Sequence, residues 1–293
     1  MIYTTLDSDE KIVKQCLAWG EERALAIDFE CEYNLHIYGE HLCLIQIFDK
    51  ERFFIIDVRS PMVTEKGIKR FLSLPNQKIW FAYQGDGSLI YKKYKMKIEN
   101  IFDVRVPAKL LGFDGNLVSL IKEFLNVEIN INKKKNQTAN WLVRPLDIAL
   151  INYALLDVKY LFSLKDVLDR EIKEHGLEES VKKEMVKATI IKEPKPGWKN
   201  VGPYKKMKRE EKRNLKAYFT QRDKIAKRFN VPAERVLSKK TLLSLSLNPP
   251  KDREELAYRI KNEPQRFRKM IEDSLWSVTQ EEVLSAVHPL DKK

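Results

Sequence analysis

Cysteine and histidine are scarce in this chain of 293 residues, and neither is arranged for metal or disulfide chemistry. Cys16, Cys31 and Cys43 form an odd set with no C-x-x-C pair, which favours reduced thiols and a cytoplasmic location. His36, His41, His175 and His288 show no zinc spacing. No Walker A or G-x-G-x-x-G segment is present, and no Ser/His/Asp arrangement is readable. Long apolar runs are missing too. The longest surrounds Phe53-Phe54-Ile55-Ile56, far short of the ~20 residues that span a bilayer. That excludes a membrane-spanning protein, and because Met1 to Asp7 has no basic region followed by an apolar one, no secretory signal is expected either. Hydrophobic residues at 43% and charged residues at 33% exclude general disorder, and the length suits two domains with sizeable cores.

Acidic residues fall short of basic ones, 42 against 54, for a net charge of +12. The imbalance is local. From Lys205 to Lys293 there are 23 basic and 13 acidic residues, so all but two of the excess charges lie in that last third. A polyanionic partner, either nucleic acid or an acidic membrane surface, fits this asymmetry, and so does a solvated lysine-rich helical surface.

Strand-like runs at 24–29, 42–48 and 52–58 lie close together and suggest an antiparallel meander. Helical periodicity near 66–74, a strand at 78–82, a helix at about 88–95 and a strand at 98–102 follow. Mostly helical pattern then runs from Val106 to about Lys187. This order predicts an α/β or α+β domain on a mixed sheet over residues 1–191. Three prolines and two glycines between Lys192 and Pro203 predict a linker over 192–204. Beyond it, helices at 205–229, 238–246, 253–261 and 264–276 predict a small all-α bundle over 205–293, with Ser238 and Asp252 as caps.

Three acidic segments carry the chemistry. In a strand, Asp28 and Glu30 share a face while Ile27 and Phe29 point the other way. Paired carboxylates there fit either an exposed strand end or a divalent cation. Tyr153 and Asp157 lie one helical turn apart, at the edge of an apolar surface that includes Leu150, Ala154, Leu161 and Leu164. Asp86 is the sole aspartate between Asp57 and Asp103; it follows a strand, where it could be catalytic, part of a turn with Gly87, or a helix cap.

In order and spacing, Asp28-Phe29-Glu30, Asp86, and Tyr153 with Asp157 resemble the three motifs of the DEDDy branch of 3′-to-5′ exonucleases, and more closely the ribonuclease D family. Leu44-Ile45-Gln46-Ile47, Asn100-Ile101-Phe102-Asp103 and Trp141-Leu142-Val143-Arg144-Pro145-Leu146 support the likeness. Residues 215–264, with Asn230-Val231-Pro232 and Val236-Leu237-Ser238, are similar to the helical HRDC domain. Three departures are visible. Phe29 stands where threonine is frequent, and Tyr83-Gln84-Gly85 is compressed, so Asp86 is assigned by its distance to Asp103. There is room for one HRDC module where some members have two.

The resemblance implies a ribonuclease H-like mixed-sheet exonuclease domain followed by an HRDC-like bundle. It implies a monomer that hydrolyses RNA from the 3′ end, tRNA precursors included, with two Mg²⁺ or Mn²⁺ ions. Asp28 would bridge both ions, Glu30 and Asp157 would complete the site that holds the water, and Asp86 would support the second ion. Tyr153 would orient the attacking water. Phe29, Gln46, Lys133, Lys134, Lys205, Lys206, Lys208 and Arg209 are the expected nucleic-acid contacts. The lysine triplet at 133–135 reads equally well as a solvated loop, and Phe29, Tyr83 and Trp141 as core. The nearest rival is the same chemistry on DNA, since the acidic site does not itself read a 2′-OH; a catalytically dead binding scaffold is the other.

Overall fold

A computed structural model describes residues 1–129, 139–193 and 195–287. It divides into two units: residues 1–32 with 41–194, and residues 33–40 with 195–293.

The first unit is built on a six-stranded sheet of order β1-β4-β3-β2-β5-β6. Its strands are β1 (Tyr3–Leu6), β2 (Leu25–Tyr33), β3 (Glu40–Phe48), β4 (Phe53–Asp57), β5 (Lys78–Trp80) and β6 (Ile101–Asp103). β3 and β4 pair antiparallel, whereas β1 with β4, β2 with β5 and β5 with β6 pair parallel. A mixed sheet is thus observed, with β2 and β3 at its centre. Leu25-Ala26-Ile27 in β2 and Leu42-Cys43-Leu44-Ile45 in β3 are continuous buried apolar runs, as suits strands covered on both faces.

Three helices cover one face: α1 (Asp9–Trp19), α2 (Glu65–Leu72) and α3 (Gln84–Tyr94). Ile12, Trp19, Phe71 and Ile90 meet Ile27, Phe29, Ile45, Phe54 and Trp80 in one core. The other face carries α4 (Arg105–Leu110), α5 (Leu117–Leu125), α6 (Ile148–Lys159) and α7 (Leu161–Glu174), followed by α8 (Glu178–Thr189). There Ala26 and Ile79 pack with Val104, Leu120, Val158 and Leu164, while Leu44 and Ile55 pack with Ile151, Ala154 and Leu155. The strand alternation of β2 therefore sends Ile27 and Phe29 into one core and turns Asp28 and Glu30 toward the α6 side.

Sequence patterning does not indicate β1 or α1. Four residues of mostly exposed edge strand, Tyr-Thr-Thr-Leu, carry too little alternation to be read. Helix α3 starts at Gln84, four residues before the expected Ser88, and so absorbs the Asp86-Gly87 pair that reads as a turn. Glycine suits position 87 because a Cβ there would lie 2.5 Å from the Tyr83 ring.

Lys78 on β5 is wholly buried. Its ammonium donates to the carbonyls of Leu74 (2.5 Å), Asn76 (3.1 Å) and Glu99 (3.2 Å), tying together the two loops that feed β5 and β6. Burial pushes its pKa down to about 8. Between there and the unfolded value near 10.4 the unfolded chain binds more protons, so stability rises with pH across that window. Wild type should gain about 3 kcal/mol relative to Lys78→Met between pH 7 and pH 10.5. Urea unfolding of both proteins at the two pH values measures this, and a constant difference would refute it.

The second unit contains 3₁₀ turns at Gly197–Asn200 and Tyr204–Lys206, then α9 (Arg209–Phe229), α10 (Lys239–Leu247), α11 (Arg253–Arg259) and α12 (Gln265–Val287). Leu215, Tyr218, Ala226, Leu242, Leu245, Leu256 and Phe267 form its core. Ser238 accepts from the Thr241 N–H and Asp252 from the Glu255 N–H, as capping side chains. Two features differ from the sequence reading. The stretch from Lys195, read as linker, belongs to this unit, because Val201, Tyr204 and Met207 reach its core. The loop Tyr33–Glu40 belongs to it as well, and the Tyr38 hydroxyl donates to Asp223 at 2.6 Å.

Candidate active site

Helix α6 begins at Asp147, whose side chain accepts the Ala149 N–H at 2.7 Å. It buries Ile151, Ala154, Leu155 and Val158 against the sheet. That choice of face leaves Tyr153 and Asp157 half-buried on its flank, one turn apart. From β2 come Asp28 and Glu30. Carboxylate oxygens of Asp28, Glu30 and Asp157 all lie within 4.8 Å of one another.

Three carboxylates this close, partly withdrawn from water, disfavour each other's charge. Burial, then the charges of Asp157, Asp86 and Glu30, hold the Asp28 carboxyl well above the usual range. Burial with Asp157 and Asp86 does the same to Glu30. Tyr153 is pushed up by burial and by Asp157, Glu30 and Asp28, so its phenol stays protonated across the physiological range. All three clustered donors are carboxylate oxygens, the donor set of a hard divalent cation.

Asp86 arrives from the first turn of α3, and its charge is felt by both Asp28 and Glu30. The indole N–H of Trp80, at the end of β5, donates to Asp86 Oδ2 at 2.8 Å. Burial raises the Asp86 carboxyl to about 7, the Trp80 bond opposes that, and the Asp103 charge adds to it. Asp103 sets the approach to α3. Its carboxylate accepts the Ala82 N–H at 2.9 Å and the Tyr83 N–H at 3.0 Å. These bonds hold Ala82 at φ 60°, a left-handed conformation that an alanine adopts rarely.

Several expected nucleic-acid contacts are elsewhere. Phe29 is buried on the face opposite the carboxylates, edge-on to Trp80 at 4.8 Å, and so braces the indole that holds Asp86. Gln46 is fully buried in β3 opposite Ile55, with no hydrogen-bond partner for its amide among the described residues. Neither side chain is open to a ligand. Tyr83 and Trp141 are also core residues. Lys133 and Lys134 lie outside the described residues. Lys205, Lys206, Lys208 and Arg209 are exposed in the second unit, at the Tyr204–Lys206 turn and the start of α9.

Trp80 was not singled out by sequence, and Asp103 and Arg144 only as parts of supporting segments. Arg144 makes a two-pronged pair with Asp57 at the end of β4, at 2.7 and 2.6 Å, and donates to the carbonyls of Trp141, Val143 and Cys43. It pins the segment entering α6 to the sheet, and thereby sets where Tyr153 and Asp157 come to rest. Arg144→Met should cost about 2 kcal/mol in urea unfolding, below the ~3–5 of a fully buried pair. Arg144→Lys should recover little, because an ammonium cannot make the planar two-pronged contact. Full recovery by lysine would reduce Arg144 to a point charge.

A family model described as 3′-5′ exonuclease matches residues 3–173, and one described as HRDC domain matches residues 211–273. A protein named ribonuclease D from Granulibacter bethesdensis is 25% identical over 261 residues, covering 87% of this chain; the chain spans 65% of that relative's length, just under two thirds. Among solved structures, the catalytic core of RRP6 from Trypanosoma brucei superposes with a TM-score of 0.76 at 20% identity, covering 97% of this chain and 80% of that one. Escherichia coli RNase D, described as an exoribonuclease involved in structured RNA processing, gives 0.70 at 21%, covering 94% and 75%. At those identities the likeness is one of fold.

Proposed function

Because the chain belongs to the 3′-5′ exonuclease family, we propose that it hydrolyses RNA phosphodiesters stepwise from the 3′ end. The observation that carries this reading is the meeting of Asp28 and Glu30, from one strand, with Asp157, from one helix, as a compact oxygen-donor cluster. Two divalent cations, Mg²⁺ or Mn²⁺, held by Asp28, Glu30 and Asp157 with Asp86 in support, would supply a water-derived nucleophile at neutral pH and neutralise charge on the attacking and leaving oxygens.

The chain's own residues do the rest. Raised carboxyl pKa values mean that protons and cations compete for the cluster, so its affinity for cations rises with pH. The Tyr153 phenol keeps its proton and orients the attacking water by hydrogen bonding rather than abstracting a proton. Trp80 fixes the Asp86 carboxylate, and Arg144 fixes the helix that bears Tyr153 and Asp157.

RNA as substrate is favoured by the curated relatives named ribonuclease D. Single-stranded 3′ ends, tRNA precursors among them, are the substrates this reading assigns to a monomeric enzyme. The basic second unit would hold the RNA body through phosphate contacts whose contribution falls steeply with salt. Incubation of 5′-labelled single-stranded RNA and matched DNA with Mg²⁺, Mn²⁺ or EDTA tests the reading. A metal-dependent ladder shortening from the RNA 3′ end supports it. Equal or faster loss of DNA would move the assignment to DNA, and intact substrates in every lane would leave a binding scaffold.

A further inference from the structure

The 3₁₀ turns Gly197–Asn200 and Tyr204–Lys206, which begin within the expected linker of 192–204, hold an aromatic pair that the catalytic chemistry does not use. Trp198 and Tyr204, one from each 3₁₀ turn, meet edge-to-face with ring centroids 5.3 Å apart and an interplanar angle of 73°. Both remain partly exposed. Tyr204 leans on the core of the second unit, whereas Trp198 stands outside it. The turn that carries Trp198 is seated closely on α9: a Cβ at Gly197 would come within 2.8 Å of the Phe219 ring. The indole is thus presented by a fixed surface.

Three ammonium groups surround the pair. Lys199 lies 5.2 Å and Lys216 5.9 Å from the Trp198 ring centroid, and Lys212 lies 5.3 Å from that of Tyr204. None of the three forms an ion pair among the described residues, in a protein whose other lysines often do. Partly exposed aromatic rings beside unpaired cations are the two components of a single-strand nucleic-acid surface: rings for bases and ammonium groups for the flanking phosphates.

We propose that Trp198 and Tyr204, with Lys199, Lys212 and Lys216, form a platform on which a base of single-stranded RNA stacks. A base on the indole displaces a flexible lysine head, whose exposed contact with the ring is the weaker of the two, and that head turns to the neighbouring phosphate. Every base has a π-face, so the platform is tolerant of sequence. The proposal rests on RNA being the substrate class, but it is separable from the chemistry.

Binding of a short fluorescein-labelled single-stranded RNA to the full chain in EDTA, followed by anisotropy, tests it without turnover. Trp198→Ala should weaken binding about fivefold or more. The slope of log K against log salt should stay unchanged in that variant. Lys212→Gln and Lys216→Gln should each flatten the slope by about 0.7. Unlabelled RNA should quench tryptophan fluorescence in wild type. Trp198→Phe should keep most of the affinity and the same Tm while losing that quench, which a merely structural role would not produce. Affinity of Trp198→Ala within about twofold of wild type, or a quench that persists in Trp198→Phe, overturns the platform. Wild type that leaves RNA uncut with Mn²⁺ but shows the Trp198-dependent quench supports the platform while defeating the exonuclease reading.

Discussion

Asp28→Asn is expected to lower kcat by more than about a thousandfold and, in EDTA near neutral pH, to make the protein more stable. The two effects have one cause. Asp28 is clustered with Glu30 and Asp157, and burial plus their charges and that of Asp86 hold its carboxyl well above the usual range. Between the unfolded value near 3.9 and that raised value, the folded chain binds more protons than the unfolded one. Stability is therefore present in acid and is lost as pH climbs through the window. An asparagine cannot ionise, so the variant does not suffer this loss.

The stability difference between Asp28→Asn and wild type should thus widen from pH 4 to pH 8, reaching about 1–3 kcal/mol. Mn²⁺ should reverse the ranking by stabilising wild type more than the variant. Thermal unfolding of both proteins with EDTA and with Mn²⁺ measures all of this. Near-normal turnover by Asp28→Asn would remove the residue from the catalytic centre. A variant no more stable than wild type at pH 8 in EDTA would mean that the carboxylates do not repel as the geometry requires.

Tyr153→Phe should lower kcat by about 10²-fold and leave KM within about twofold. The phenol lies one helical turn from Asp157, and its pKa is raised by burial and by the surrounding carboxylates. It keeps its proton throughout the range in which an RNA-cleaving assay is practical. Losing it removes an oriented hydrogen bond and no titrating base. The pH–rate profile of Tyr153→Phe between pH 6 and 9 should therefore keep the wild-type shape at a lower height, and the rise in Tm on adding Mn²⁺ should be preserved. If an alkaline limb disappears in the variant, Tyr153 acts as a base. If the Mn²⁺ effect disappears instead, the tyrosine supports the cation cluster.

The carboxylates were legible because strand and helix periodicities are simple. Alternation places Asp28 and Glu30 together, and a four-residue spacing does the same for Tyr153 and Asp157. That those two faces meet depends on the apolar residues between them, above all Ala154, Leu155 and Val158, which press α6 onto the sheet. Asp86 is harder to place, since Asp-Gly reads as a turn and only the Tyr83 and Ile191 side chains beside Gly87 show why glycine sits inside a helix. Phe29, which reads as contact or core, and Gln46, which reads as a contact, are both buried. Phe29 is a large aromatic beside acidic residues that in fact faces the other core. Gln46 is a polar side chain wholly inside a strand. Trp80, Asp103 and Arg144 act by holding other groups, through contacts formed only once distant segments have come together.

The two units are not successive beads on the chain, because the loop Tyr33–Glu40 is counted with helices that follow Lys195. Tyr38 and its partner Asp223 are separated by 185 positions. At about 5–20 residues per second of synthesis, that loop waits roughly 10–40 s before α9 exists to receive it. A nascent chain that has completed the sheet has not yet made the Asp223 carboxylate, and a fragment stopped after α8 never would. Cutting the protein at the proline-rich segment therefore does not yield two self-sufficient pieces; it removes the carboxylate that one of them was built to meet.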